Sequence, residues 1–264
     1  MEFVEPEVYL IAETKIDFDQ LESMLGSVGD KTATNWFART REASKSEGEL
    51  LTEVAGRICY KSFGVGLNPN VTKIRESSRD YIDNTLAKGD GSIFEHATCT
   101  FAFLNVSRVF THELVRHRVG VAISQESLRY VRPTRLRFWL PPELQDKKKE
   151  FKAVVEQAER NYRDLESSYD WEGMNFDAKK RVTSALRRVV PDGMATSIIW
   201  TANHRTIRHV ITMRTAEGAE VEIRFVFDKV ARLMKSRFPL IYRDFEYTEL
   251  DDKTWSWRPK YNKA

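Results

Sequence analysis

The longest apolar stretches of this chain, Ala97–Phe103 and Val189–Trp200, fall well short of the roughly 18 residues a membrane-spanning helix needs. Each lies among charged segments, so the chain must bury short apolar pieces against amphipathic ones. Residues are 41% hydrophobic and 31% charged, which excludes a disordered tail, a collagen-like fibre and a low-complexity scaffold. Lys and Arg number 42 against 39 Asp and Glu, and a net charge of +3 argues against a dedicated nucleic-acid coat. The opening MEFVEPEVYL lacks the cationic start and apolar run of a signal peptide. Cys59 and Cys99 form no disulfide framework and sit in no metal-ligand spacing. A soluble intracellular protein, placed in the cytoplasm, without a metal or a membrane partner, is expected.

EVYLIAE (7–13) reads as a strand, while residues 14–48 have no clear period and read as an insertion or a short helix pair. Leu50, Val54 and Ile58 put a helix over Glu49–Tyr60, and a second is expected over Thr72–Ala87, before Gly89. Ala97–Val106 suits a buried strand, and Ser107 can cap a helix running to about His117. A loop follows, then an extended Leu136–Leu140 stopped by Pro141-Pro142. Two charged helices lie between Lys147 and Arg188, separated by Asp170–Asn175; helices over Arg205–Met213 and Glu220–Phe238 finish the chain. Strands and helices intersperse without repeats, giving an α+β fold in one domain (1–264) with a polar, peripheral tail at 251–264.

Three polar clusters carry the candidate chemistry. Glu113-Leu-Val-Arg116-His117-Arg118 leads into Ser124-Gln125-Glu126-Ser127-Leu128-Arg129-Tyr130, with Arg132, Arg135 and Arg137 beyond. A well-terminated surface helix is the plain explanation of the cations at its end. The neutral donors and acceptors beside fixed positive charge instead suit a phosphorylated ligand with a polar ring. The second cluster is Trp200-Thr-Ala-Asn203-His204-Arg205-Thr-Ile-Arg208-His209, reaching Arg214; the third is Phe94-Glu95-His96-Ala97-Thr98. Either could be locally satisfied structure. No GxGxxG, GxxxxGK[ST], HExxH or CxxC is present, which excludes a Rossmann fingerprint, a P-loop and zinc. Neither cysteine has the Pro-Cys setting of a nucleophile in a folate-dependent thymidylate synthase.

In this order, the clusters resemble the flavin-dependent thymidylate synthases over about residues 50–245. Arg116-His117-Arg118 followed by Ser127 is similar to that family's RHR motif. Phe94-Glu95-His96 with Thr98, Glu113 three before Arg116, and Arg187 four before Pro191 also match. So do Trp200-Thr201-x-Asn203-x-Arg205, Arg214 eleven after Asn203, and Glu222-Ile223-Arg224. The resemblance implies a central antiparallel sheet flanked by helices, and a homotetramer with sites at subunit junctions. It implies FAD as cofactor, NADPH as reductant, methylenetetrahydrofolate as methylene donor and dUMP as acceptor at C5, yielding dTMP without an enzyme thiol. By position, Thr98, Arg116, His117, Arg118, Asn203, Arg205 and His209 would bind FAD. Glu113, Arg116, Ser127, Leu128, Arg129, Arg187 and Arg214 would hold the nucleotide, with Arg129 and Arg187 on phosphate. Arg214 would stabilise deprotonated N3 of the uracil, Ser127 would bind without attacking, and His96 would lie near the flavin ring.

Departures from the family pattern accompany these matches. Eight residues, Val119–Glu126, separate the RHR from Ser127 where seven positions are usual, so the expected acid is either Gln125 or the shifted Glu126. A family His and Gln are Gly218 and Glu220 here, and His209 stands where Asn is frequent. A related enzyme modifying C5 of UMP or of another pyrimidine nucleotide fits the same scaffold, as does a flavin-binding member without turnover. The rival from another class is an RNA- or DNA-binding module using the Arg116–Arg137 strip.

Overall fold

Burial alternates along Thr98–Ser107 and, less strictly, along Ala195–Asn203, as expected of strands that pack one face on a core. These two strands pair antiparallel at the centre of the molecule, with Phe101 opposite Trp200 and Thr98 opposite Asn203. In the computed structural model, which describes residues 1–43 and 46–263, the elements begin β1 (Glu2–Phe3), β2 (Glu7–Glu13), α1 (Phe18–Ala43), α2 (Glu47–Tyr60) and α3 (Ser78–Lys88). Next come β3 (Thr98–Ser107), α4 (Arg108–Leu114), β4 (Val121–Gln125), β5 (Arg137–Phe138), α5 (Lys148–Ser167) and α6 (Phe176–Leu186). The chain closes with β6 (Ala195–Asn203), α7 (His204–Arg214), α8 (Val221–Arg237), α9 (Pro239–Tyr242), β7 (Phe245–Glu249) and β8 (Trp255–Pro259).

The main sheet has the order β2-β3-β6-β4 and is antiparallel throughout. The expected α+β class, one domain built on a central antiparallel sheet, is therefore what the chain adopts. Ile223, Val226, Phe227, Val230 and Met234 recur at helical spacing on α8 and are all buried. They pack with Phe101, Phe103 and Trp200 of the sheet and with Ile207, Val210 and Ile211 of α7. At about 1.5–3 kcal/mol per buried apolar side chain, this α8–sheet contact is the main stabilising layer. Among the described residues no helix is long and apolar enough to cross a membrane.

Several expectations need correction. Most of residues 14–48 form one helix, α1, whose Leu21, Leu25, Trp36 and Phe37 pack on Leu50, Val54 and Phe63. Its apolar positions are few and widely spaced, so the period is weak. Ser44, Lys45 and Ala264, within the 14–48 and 251–264 segments, lie outside the described residues. The helix expected from Thr72 begins only at Ser78, because Ser77 caps it by accepting the Asp80 N–H. The loop expected after the RHR contains β4. Cys59, which falls within the helix expected over Glu49–Tyr60, is exposed on the outer face of α2.

The tail is not peripheral. β7 and β8 pair as a hairpin, and Trp257 is only 2% exposed. Its indole N–H donates to Asp228 (2.8 Å), and its backbone N–H donates to the Thr215 hydroxyl (2.9 Å) at the end of α7. Trp257→Ala should cost about 3 kcal/mol through the cavity it leaves, lowering the midpoint of chemical unfolding. An unchanged midpoint would show the hairpin to be dispensable.

Candidate active site

α4 begins with Ser107, whose hydroxyl accepts the Phe110 N–H, and ends at Leu114, one turn earlier than expected. Arg116, His117 and Arg118 therefore lie on a turn, with the His117 N–H donating to Leu114 O (3.1 Å). Glu113 and His117 do not share a helical face. They converge instead on Arg214, at the end of α7. The Arg214 Nε–H donates to His117 Nε2 (2.7 Å), Nη1 to the Glu113 carboxylate (2.5 Å) and Nη2 to the Glu113 carbonyl (3.1 Å).

That geometry requires His117 Nε2 to be an acceptor, so the ring is neutral. Burial, and then the charge of Arg214, push the His117 pKa down to about 4. The His117 ring meets His209 edge to face at 5.6 Å, placing the second polar cluster against the first.

The turn is tied to the start of α7. The Asn203 side chain caps α7 by accepting the Thr206 N–H (2.9 Å), and its own backbone N–H donates to Gly120 O (3.3 Å). The Thr206 hydroxyl donates to Val119 O (2.8 Å). Gly120 has φ +67°, and a Cβ there would fall 2.4 Å from Asn203 Nδ2, so glycine is needed twice over. From the third cluster, Phe94 is buried in the core and Glu95 pairs with Arg205 at 2.5 Å.

Together these residues line a cavity of about 520 Å³. Glu95, Arg116, His117, Arg118, Asn203, Arg205 and His209 surround it, joined by Thr206, Asn262 and Lys263. Asn262 and Lys263 escaped sequence reasoning because they lie in the tail, where only the hairpin brings them back. Three arginines face one carboxylate, so the cavity favours an anionic ligand.

The remaining expected residues stand elsewhere. His96 and Thr98 are exposed beside the cavity without lining it, and the Thr98 N–H donates to the Thr14 hydroxyl (2.8 Å). Arg129 and Arg187 are exposed, and Ser127 is half-buried with its hydroxyl accepting the Arg129 N–H (3.3 Å). Leu128 packs with Leu136, Phe138, Val155 and Met194, which leaves only its main chain for a ligand. Gln125 donates to the Thr111 hydroxyl (3.3 Å), whereas Glu126 starts the loop. Glu220 caps α8, its carboxylate accepting the Glu222 and Ile223 N–H groups. The arginine strip is partitioned. Arg116 pairs with Glu113, Arg132 with Glu166, and Arg137 donates to Asn105, which breaks up a continuous basic face for nucleic acid.

A central antiparallel sheet whose edge strand β4 follows a cation-lined turn, with arginines around the adjoining cavity, defines an α+β protein with an electropositive cleft. Residues 43–240 match the family model described as "Thymidylate synthase complementing protein". The chain is 34% identical over 214 residues to the "Flavin-dependent thymidylate synthase" of Mycolicibacterium gilvum, covering 78% of this chain and 83% of the relative. The proteins of that name from Mycobacterium avium and Mycobacterium tuberculosis match to the same identity and extent. The chain belongs to the flavin-dependent thymidylate synthase family.

The depressed pKa of His117 has a measurable consequence. The unfolded ring titrates near 6.5 and the folded one near 4, so the stability it confers is full above pH 6.5 and falls as pH drops towards 4. Glu222, whose carboxyl is pushed up to about 7 mainly by burial, slopes the other way between its ordinary range and pH 7. Comparing wild type with His117→Gln, which keeps an acceptor but cannot titrate, isolates the histidine. The wild-type protein should lose more stability than the variant between pH 6.5 and 4 in urea titrations, and parallel curves would refute the neutral acceptor.

Proposed function

We propose that this protein converts dUMP to dTMP by reductive methylation at C5, using FAD, methylenetetrahydrofolate as carbon donor and NADPH as reductant. The observation that carries the reading is the hold on Arg214. Of five guanidinium N–H groups, three are taken by His117 and Glu113, which leaves two on a fixed, permanently charged group beside the cavity. Such a pair suits a uracil ring that gains negative charge at N3 as C5 becomes nucleophilic.

The donors fit a flavin dinucleotide. Arg116, Arg118 and Arg205 match a diphosphate, Asn203 keeps its amide N–H₂ free while its oxygen caps α7, and His209 offers a ring edge. When bound, the flavin supplies the reducing equivalents that turn a transferred methylene into a methyl group. Thr98 and His96, exposed at the cavity's side, serve the outer part of the cofactor and the flavin ring respectively.

Glu113, Arg116, Ser127 and the Leu128 main chain bind the nucleotide, with Arg129 and Arg187 on its phosphate. Glu126 fills the shifted acidic position, since the Gln125 amide is engaged with Thr111. No thiol is needed: burial pushes Cys99 up to about 12, and Cys59 is exposed on α2 with its thiol donating to Ala55 O (3.3 Å). Ser127, Arg129 and Arg187 lie outside the cavity wall, which supports a site completed by assembly as a homotetramer.

The purified protein should show a flavin absorbance spectrum that dUMP perturbs. A response to UMP alone would keep the chemistry and change the product, and a colourless protein that takes up no FAD would overturn the reading. Arg214→Ala should retain flavin while losing methylation by at least about a hundredfold, as removal of one charge-stabilising group does elsewhere. Normal turnover in that variant would remove its assigned role.

A further inference from the structure

The loop between β4 and β5 carries Ser127 and Arg129 yet has little regular structure of its own. One turn holds its start, where the Tyr130 and Val131 N–H groups both donate to Ser127 O (3.0 Å). Leu128 and Leu136 anchor its inner side. Its outer side is fastened by two stacks, one onto the connection between α5 and α6 and one onto the start of α6.

In the first stack, the Arg132 guanidinium carbon lies 3.9 Å from the Trp171 ring centroid, and Arg132 Nη1 lies 3.3 Å from the Glu166 carboxylate. Trp171 is itself fixed, since its indole N–H donates to Glu166 O (2.9 Å), and Arg163 holds the Glu166 carboxylate from one turn away (2.9 Å). In the second, the Tyr130 ring stacks on Phe176 with centroids 6.5 Å apart and 25° between planes. Lys180 Nζ sits 4.9 Å above the same tyrosine ring, and the Arg129 guanidinium lies 5.9 Å from it. Hydrogen bonding to Lys180 pulls the Tyr130 hydroxyl below its ordinary range.

Phe176 and Lys180 occupy the first turns of α6, and Arg187 follows directly on its last residue. One rigid helix therefore joins the docking point of the loop to the second phosphate arginine. Phe176 is 69% exposed and Tyr130 54%, so the stack lies at the surface of the seam between the loop and α6.

We propose that Trp171, Tyr130 and Phe176 are positioning residues for the nucleotide phosphate, locking the loop to α6 so that Arg129 and Arg187 keep a fixed register. The inference rests on the phosphate role assigned above to those two arginines. Partly exposed cation–π and ring stacks are individually modest, so each contributes severalfold in affinity and not an all-or-none effect.

The test uses the full-length flavin-loaded protein with dUMP as the probe. Trp171→Ala and Phe176→Ala should each raise the KM for dUMP about threefold to fivefold, leaving kcat at saturating dUMP and flavin affinity unchanged. Trp171→Phe, which keeps a ring under Arg132, should restore most of the loss at an equal melting temperature. A KM that stays at the wild-type value in both alanine variants, while Arg129→Ala and Arg187→Ala raise it, overturns the clamp alone. A KM indifferent to the two arginine substitutions overturns the phosphate assignment and the clamp with it.

Discussion

The junction at Asn203 is the constraint on which the candidate site depends. A central strand must end where a helix begins, and that point leaves unpaired backbone donors. Asn203 meets the demand with its side-chain oxygen on Thr206, while its own N–H reaches Gly120 on the RHR turn. Because Gly120 touches the Asn203 side chain, no larger residue can enter without pushing strand, turn and helix apart. The sheet fixes the start of α7, and α7 delivers His209 and Arg214 to the far side of the same turn. Arg214 is thus placed by a helix cap eleven residues before it.

Buried charge in this protein divides into two kinds. Arg57 with Glu53, and Arg208 with Asp244, are enclosed pairs whose arginines also donate to backbone carbonyls, so they fix the chain. Glu222 belongs with them. It accepts the backbone N–H and hydroxyl of Ser107, pinning α8 to the start of α4, and Arg224 beside it reaches Asp252 and Glu217 O. The Glu222-Ile223-Arg224 segment therefore supports the site from behind. Arg214 is the other kind: held on three sides but not saturated.

Much of this was legible in the chain. The buried strand over Ala97–Val106, the cap at Ser107 and the helix that becomes α8 follow from local pattern, which the core then rewards. Three polar clusters were visible as clusters, and six residues of the cavity wall besides the RHR arginines came from them. What sequence could not show is convergence across distance: Glu113 and His117 look like a helical pair, yet meet only through Arg214, 101 and 97 residues away. The Trp255–Pro259 strand was hidden because its polar neighbours mask a single buried tryptophan. The α1 helix was hidden because its core is small and separate from the main one.

The hold on Arg214 also bears on the role proposed for it in methylation of the pyrimidine. A free arginine would have to lose rotamer freedom as the pyrimidine ring develops charge, at a cost of up to about 2 kcal/mol, and would first shed bound water. An arginine already gripped by a carboxylate and a neutral imidazole pays that cost during folding. Glu113 tempers the guanidinium charge in the resting state, but an acidic partner also fixes the direction in which the two remaining N–H groups point. His117 adds a bond without adding charge, which is why its neutrality matters. A protonated ring would repel Arg214 and turn an acceptor into a donor, so burial of the histidine and orientation of the arginine are one requirement.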